Sequence, residues 1–588
     1  MQNEELRIEN PPPPSPTPPL IQSTPMRLGT LLLFLAATAS AQNWPQWGQS
    51  PEHDSASTVP GRRLDRIEAE IVLDPFTDAS EAEVGGDLLA HYAVPIVDGD
   101  DLFVVVKTGA FTSYLTRDSQ IWNVRNLRRV NGQLTPRWTF TSDWKPVPIG
   151  SASWEPVYHP AVNGDVVWAP GAGGTMDKIR RDDGTRIARF NPFGTIDSTI
   201  FVAGPPTVDH AGNVFYTAIK FNASDPWGAD PPDSWLVRIG ADGTMTKATF
   251  VSLTPNAPAA TAQCTATFAQ GNDPPPFPPS RNAVAPSVRC GPQRPGINVA
   301  PAVAPDGTIY AISRAHANDR WGFLVAVNPD LTPKWATSLR NRFQDGCNVV
   351  LPPNGAPGGC SADAITGVDP SDNQSGSGRV NDNSTSCPVV TPDGRILYGA
   401  HTGYNYAQGH LMMFGADGRY VDAYGWGWDL TPAVYRHDGT YSILLKENHY
   451  NISNRNVDLP LDPEAYFITQ LSSSLRPEWK YQNKNKQSCV RLPNGTLDCV
   501  EDHPNGFEWC VNAIAVDSRG IAYANSEDGN LYAIGQGGVV VGRIFLRQAI
   551  GAAYTPTSIG PDGRIYTQND GNLFVITENP KRRAVRQK

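Results

Sequence analysis

Cysteine is scarce in this chain, 8 residues in 588, and no two are spaced Cys-x-x-Cys. That excludes covalent c-type haem, which needs Cys-x-x-Cys-His, and the common paired-thiolate zinc sites. His-Glu-x-x-His and Gly-x-Ser-x-Gly are also missing, so the zincin and α/β-hydrolase signatures are absent. There is no basic excess: 48 Lys and Arg face 58 Asp and Glu, for a net charge of -10. Mild acidity is the reverse of the electrostatic footprint of a nucleic-acid binder. Long apolar runs are lacking too. Leu31 to Ala37 is too short to span a bilayer as a helix, and no transmembrane segment is expected in the mature chain.

That run belongs to a targeting signal. Met26-Arg27 precedes it and Ala39-Ser40-Ala41 follows it. A basic start, a short apolar region and an Ala-x-Ala site describe a secretory signal over 26–41, cleaved before Gln42. The Pro-rich residues 1–25 are either a disordered extension or lie ahead of the true start at Met26, and we read Met26 as the start. The mature protein is expected to be secreted or periplasmic. Lys581-Arg582-Arg583, Arg586 and Lys588 make a solvated basic tail over 579–588.

What is abundant is the turn. Gly 53 and Pro 54 are high, and they recur in a pattern. Around Asp306-Gly307, the run Ala300-Pro301-Ala302-Val303 leads into a hairpin turn, and Thr308 to Ile312 leads out of it. Phe323 to Val327 and Leu331-Thr332-Pro333-Lys334-Trp335 follow, giving four short strands and three turns. The signal returns at turn glycines 99, 164, 212, 307, 394, 439, 520 and 563, usually as Pro-x-Val followed by Asp-Gly or Asn-Gly. The fourth-strand signal recurs at Trp138, Trp335 and Trp479. Gly164 to Gly212 spans 48 residues, Gly394 to Gly439 spans 45 and Gly520 to Gly563 spans 43. That period is the length of one propeller blade. The reading is all-β: an eight-bladed β-propeller of four-stranded antiparallel blades over residues 42–578.

The eighth unit offers only three strands. Ile67, Ala69, Ile71 and Leu73 alternate with Glu68, Glu70 and Val72, a half-buried strand without a local partner. It is expected to complete the last blade and close the ring, removing the open sheet edges.

The long separations place insertions at about 253–296, 341–384 and 482–508, after a fourth strand and before the next first strand. In a propeller those connections lie opposite the tight Asp-Gly turns, so one face is elaborated and one is plain. Function collects on loops held by a rigid scaffold. Each insertion holds two cysteines, and short loops close most easily. The expected disulfides are Cys264 with Cys290, Cys347 with Cys360, and Cys489 with Cys499. Cys387 and Cys510 remain, each before a first strand near the channel mouth. A bridge between them requires Cα atoms within about 7 Å.

The densest set of functional groups is in the sixth unit. Asp429 follows Trp426 and Trp428 and opens a first strand, while Lys446-Glu447-Asn448-His449-Tyr450 ends the second. Asp429, Lys446, Asn448, His449 and Trp428 are the ligand-binding candidates. A carboxylate and a lysine hold an anionic group, an imidazole serves as a base, and an indole stacks on a flat ligand. The bland alternative is a polar loop capping a strand. His316, Asp319, Arg320, His401 and Tyr404 come from equivalent loops and read individually as surface. Asp369, Asp372, Asn373, Asp382 and Asn383 form an oxygen-rich insertion of the kind calcium favours, in no EF-hand order. Gly171 to Gly174 is a strand connection rather than a phosphate cradle.

The repeat resembles that of the quinoprotein-like propellers, the pyrroloquinoline quinone (PQQ) repeat superfamily. The residues that carry the likeness are Pro301-Ala-Val-Ala-Pro-Asp-Gly-Thr-Ile-Tyr310, Ser526-Glu-Asp-Gly-Asn-Leu-Tyr-Ala-Ile534, Asn569-Asp-Gly-Asn-Leu-Phe-Val-Ile576 and the three strand tryptophans. The resemblance implies this fold and, as cofactors, PQQ and calcium. Alcohol-oxidising members often carry adjacent cysteines beside the quinone, and none are adjacent here. The leading expectation is a secreted propeller that binds a small-molecule or protein ligand at its elaborated face. The alternatives are a PQQ-dependent alcohol or sugar dehydrogenase and an extracytoplasmic assembly scaffold.

Overall fold

Each blade forms because a strand buried on both faces can be apolar throughout. In the fourth blade, Ala302–Val303, Ile309–Ala315 and Gly322–Val327 are buried along their whole length, and only Pro333–Ser338 is partly exposed. Ala302 lies opposite Tyr310 and Ile309 opposite Val327. Asp306 accepts the Thr308 amide at 2.9 Å, and Gly307 takes φ 82°, which a Cβ disfavours.

The computed structural model describes residues 43–580, except 87, 91, 118, 148–153, 272, 274–275, 352–355, 358–359, 406–407, 428, 451–463, 549 and 552–555. The expected signal segment, the Pro-rich extension and most of the basic tail lie outside the described residues. Eight antiparallel sheets follow one another, at 96–141, 161–190, 200–249, 293–338, 389–427, 433–482, 515–545 and 558–577. We number them blades one to eight. Blades three and four differ from the expected four strands. Ile200–Val202 and Gln293–Pro295 add a second inner segment to each.

Core side chains fill the gaps between adjacent blades. Tyr310, Ile312, Leu324 and Ala326 of blade four pack with Tyr398, Ala400, Met412 and Phe414 of blade five. The strand tryptophans lock neighbouring blades together. Trp138 donates to Arg181 O at 2.7 Å and Trp335 to Ala416 O at 3.0 Å, each reaching the outer turn of the next blade.

The ring closes as the alternation implies. Arg66–Val72 pairs antiparallel with Asn572–Thr577, from Arg66 opposite Thr577 to Val72 opposite Asn572. Glu68 clasps this closing strand on both sides, contacting Arg564 of blade eight and Arg129 of blade one at 2.6 Å each.

A second device precedes that strand. Residues 43–62 run round the plain-face end of the channel and bond to the inner strand of one blade after another. Trp44 pairs with Val97. Val162 donates to Pro45 O at 2.8 Å, Val303 to Pro51 O at 2.8 Å, Val390 to Glu52 O at 2.9 Å, Val434 to Asp54 O at 2.8 Å and Val516 to Ser55 O at 3.0 Å. Val208 donates to the Gln46 side chain at 2.7 Å. Arg62 N reaches Gly563 O in blade eight at 2.6 Å. Except for Val516, the bonded valine is the one in Pro-x-Val. Its first strand pairs with the second strand on one edge only, so the channel-side edge needs another partner. The collar curls through left-handed backbone at Gly48, Gln49, His53 and Ser55. A Cβ at Gly48 would stand 2.6 Å from the His53 Cα.

All three insertions leave the expected face, and the expected disulfides form within them: Cys264–Cys290, Cys347–Cys360 and Cys489–Cys499. Cys387 and Cys510 depart from a full set of disulfides, for both are buried free thiols. Cys387 packs in the core between blades four and five, whereas Cys510 packs with Leu88, Ala90, Tyr92 and Tyr114.

Candidate functional site

A strand alternates its side chains, so Thr440–His449 presents Lys446 and Asn448 on one side and Glu447 and His449 on the other. The structure therefore divides the candidate cluster. Lys446 and Asn448 look toward blade seven. Lys446 Nζ lies 3.8 Å from Asp429 Oδ2, and both side chains are almost fully buried. Asn448 donates to Glu508 Oε1 at 3.0 Å, and Tyr450 donates to the same oxygen at 2.5 Å. Asp429 stands at φ 82°, an uncommon conformation for a residue other than glycine. Thr385 of the blade-five lead-in donates its amide to Asp429 Oδ1 at 3.3 Å. Burial pushes the Asp429 carboxyl up to about 7, against the charge of Lys446 and the bonds from Thr385, while Glu508 adds to the rise. Trp428 lies outside the described residues.

His449 and Glu447 face blade five. His449 Nε2 bonds to Glu447 Oε1 at 2.8 Å. Lys480 at 2.7 Å, Tyr424 at 2.8 Å and Thr469 at 2.7 Å donate to the same carboxylate. Burial would raise Glu447, but the bond from His449 and the charge of Lys480 hold it below the ordinary carboxylate value. Burial holds the His449 imidazole low despite its bond to Glu447. This half of the cluster is a buried ionic knot between blades.

The oxygen-rich insertion does not fit calcium. Arg320 reaches Asp369 at 2.6 Å and Asp372 at 2.7 Å, while Asp382 meets Arg294 at 2.6 Å and Arg314 at 3.0 Å. Guanidinium groups stand where a cation would, and they hold Asp382 well below the usual carboxylate range although burial opposes them. Asn373 donates to Arg281 O and Ala283 O at 3.0 Å each. Asp319 pairs with Arg379 at 2.8 Å, and Tyr404 donates to Asp345 at 2.5 Å. His316 Nδ1 accepts from Arg294 at 3.0 Å, and burial with the flanking arginines brings it down to about 4.

One regularity escaped the sequence reading although the repeat contains it. Seven residues beyond the turn glycine, Gly307 leads to Arg314, Gly394 to His401, Gly439 to Lys446, Gly520 to Glu527 and Gly563 to Asp570. Blade one, with one extra turn residue, leads from Gly99 to Lys107. The second strands thus deliver ionisable groups to one level at the elaborated end. Lys107 meets Asp74 at 2.7 Å and Glu155 at 2.6 Å, and Arg117 meets Glu155 at 3.1 Å.

No protein-family model matches the sequence, and no curated protein matches it. Among solved structures, a quinohemoprotein alcohol dehydrogenase from Comamonas testosteroni aligns with a TM-score of 0.51 at 11% identity, covering 92% of this chain and 82% of that one. A europium-containing methanol dehydrogenase aligns at 0.48 and 10% identity, covering 90% and 89%. BamB from Moraxella catarrhalis aligns at 0.36 and 10% identity, covering 81% and 98%. The fold is that of the quinoprotein-like β-propellers, as the repeats imply. At these identities the likeness is one of fold alone.

Six cations among the described residues are already paired. A polycarboxylate quinone needs available cations, but Lys107, Arg117, Arg294, Arg314, Arg320 and Lys446 each face a carboxylate within 3.8 Å. The two free thiols sit in separate cores.

Proposed function

We propose that this chain is an exported ligand-binding propeller whose ligand docks at the elaborated mouth against Asp429, Lys446 and Asn448. The observation that supports this most is Asp429. A buried non-glycine residue in left-handed backbone, facing a buried ammonium, is strain kept at a channel-lining position. The collar covers the plain-face end of the first strands, which favours approach from the opposite mouth. An ammonium, a carboxylate and an amide suit a polar ligand with both donors and acceptors.

A thermal-shift screen with sugars, polyols and amino acids tests the reading, with PQQ plus calcium as one arm. A hit from the polar set is expected to lose at least about tenfold in affinity in Lys446→Ala, as for a lost charged hydrogen bond. That variant also strands Asp429, so the Asp429→Asn/Lys446→Met pair serves as a partner with no buried charge. It is expected to keep the fold and still lose binding. His449→Ala is expected to lower the melting temperature and spare the affinity, because His449 belongs to the knot toward blade five. Affinity unchanged in the double variant would move the site elsewhere. Quinone absorbance with dye-linked alcohol or sugar oxidation would favour the dehydrogenase reading, which rests on the fold likeness.

A further inference from the structure

At the level about seven residues past the turn glycine, blades one, four and six set a base against an acid. Lys107 meets Asp74 and Glu155, Arg314 meets Asp382, and Lys446 meets Asp429. In blade eight the group is an acid, and Arg547 meets Asp570 at 2.8 Å. Blade seven breaks the rule differently. It places Glu527 beside Glu508 and the thiol of Cys510, with donor atoms of all three within 4.8 Å of one another.

Three features make this more than a chance meeting of acids. The donors come from two separate segments, the lead-in to the first strand Ala515–Val516 and the residue two beyond the second strand Ala522–Asn525. Glu508 and Cys510 are two apart in the chain, and their donor atoms lie on one side, within 4.8 Å of each other. Outer hydrogen bonds orient the carboxylates, as for metal ligands. Asn448 and Tyr450 donate to Glu508 Oε1. Gly551 N donates to Glu527 Oε1 at 2.8 Å, and the Cys510 thiol donates to the same oxygen at 3.0 Å.

We propose that Glu508, Cys510 and Glu527 form a binding site for a thiophilic divalent cation of the zinc class. Bonds of about 2.3 Å to sulfur and 2.0–2.2 Å to oxygen give a tetrahedral sulfur–oxygen edge of roughly 3.5 Å. The Cys510–Glu527 contact of 3.0 Å is already near that edge. On binding, the Cys510 S–H bond breaks, its proton leaves to solvent, and the sulfur lone pair forms the metal bond. The cation supplies the positive charge that a basic side chain supplies at the same level in blades one, four and six. A soft sulfur with two hard oxygens selects zinc or cobalt over calcium. Three protein ligands leave a fourth position open. The site does not depend on the ligand reading above.

The test is cobalt titration of the chelator-treated full-length protein, followed by displacement with zinc. A sulfur-to-cobalt charge-transfer band that zinc abolishes is expected. Cys510→Ser should remove the band, Glu527→Gln should weaken affinity at least about tenfold, and Cys387→Ser should change neither. If Cys510→Ser fails to fold, alkylation of the wild-type protein decides, since zinc should slow modification of Cys510 and leave Cys387 unaffected. No cobalt uptake, a band that persists in Cys510→Ser, or alkylation of Cys510 indifferent to zinc would each overturn the site.

Discussion

A chain lacking residues 42–74 will not form a closed ring. The truncation removes the collar and the strand that completes blade eight. Asn572–Thr577 would then present an open edge, and the channel-side edges of the first strands would lose their partners. Each lost backbone bond costs about 1 kcal/mol net, and more where the partner stays buried. The collar bonds alone reach the 5–15 kcal/mol that holds a typical fold. Trp44 and Trp47, both almost fully buried, leave with it. The expected result is aggregation or loss of a single cooperative transition, read by size-exclusion chromatography and calorimetry. A milder variant isolates the clasp. Glu68→Gln leaves Arg129 and Arg564 without their shared carboxylate and should cost about 1.5–3 kcal/mol, as for hydrogen bonds to a charged group that is half-buried. A truncated monomer melting like the full chain would mean that blade eight closes without the N-terminal strand.

The legible parts of the fold were the local ones. Asp-Gly turns, Pro-x-Val strands and the alternation from Ile67 to Leu73 each depend on neighbouring residues, so period and turn chemistry displayed them. The collar was not legible. It bonds about one residue per blade at steps of one to seven residues, so it has neither a period of two nor one of 3.6. Its irregular backbone at Gly48, Gln49, His53 and Ser55 follows from that task. The site was legible in part. Of the candidates, Asp429 and Lys446 do meet and Asn448 lies on the side of the strand that Lys446 takes, but Lys446 and His449 are an odd number apart in one strand and must face opposite ways. The oxygen-rich insertion misled because its counter-ions Arg294, Arg314 and Arg320 come from blade four, and no local pattern announces them.

The collar should also make the protein acid-sensitive between about pH 6.5 and 4. His53 and His159 are fully buried at the inner end of the ring. His53 Nδ1 donates to Pro388 O at 2.9 Å and Nε2 accepts from Thr207 Oγ1 at 3.2 Å. His159 packs edge-on to Trp47. Burial is the main cause of both shifts, bringing His53 down to about 4 and His159 down to about 3, against a carbonyl bond on each ring. Unfolded histidine titrates near 6.5. Below that pH the unfolded chain binds protons that the native collar refuses, so stability falls as pH falls. Asp54 works the other way. Burial raises it to about 6, so the native state gains relative stability as it protonates. Asp429 and Glu81, both raised by burial to about 7, act with Asp54, and His316, down to about 4, acts with the two imidazoles, so the contribution of the rings is read as a difference between native and variant. The carboxylates held low by arginine, Asp319 and Asp382, lose their pairing only below about pH 4, outside the window. From pH 8 to 4 the melting temperature of the native sequence should fall relative to that of His53→Asn/His159→Asn, in which asparagine keeps a side-chain donor and tolerates the left-handed backbone at position 53. Parallel curves for the two proteins would place the acid sensitivity outside the collar. A flatter curve for the variant would assign it to these two rings, because nothing else that titrates in the window is altered.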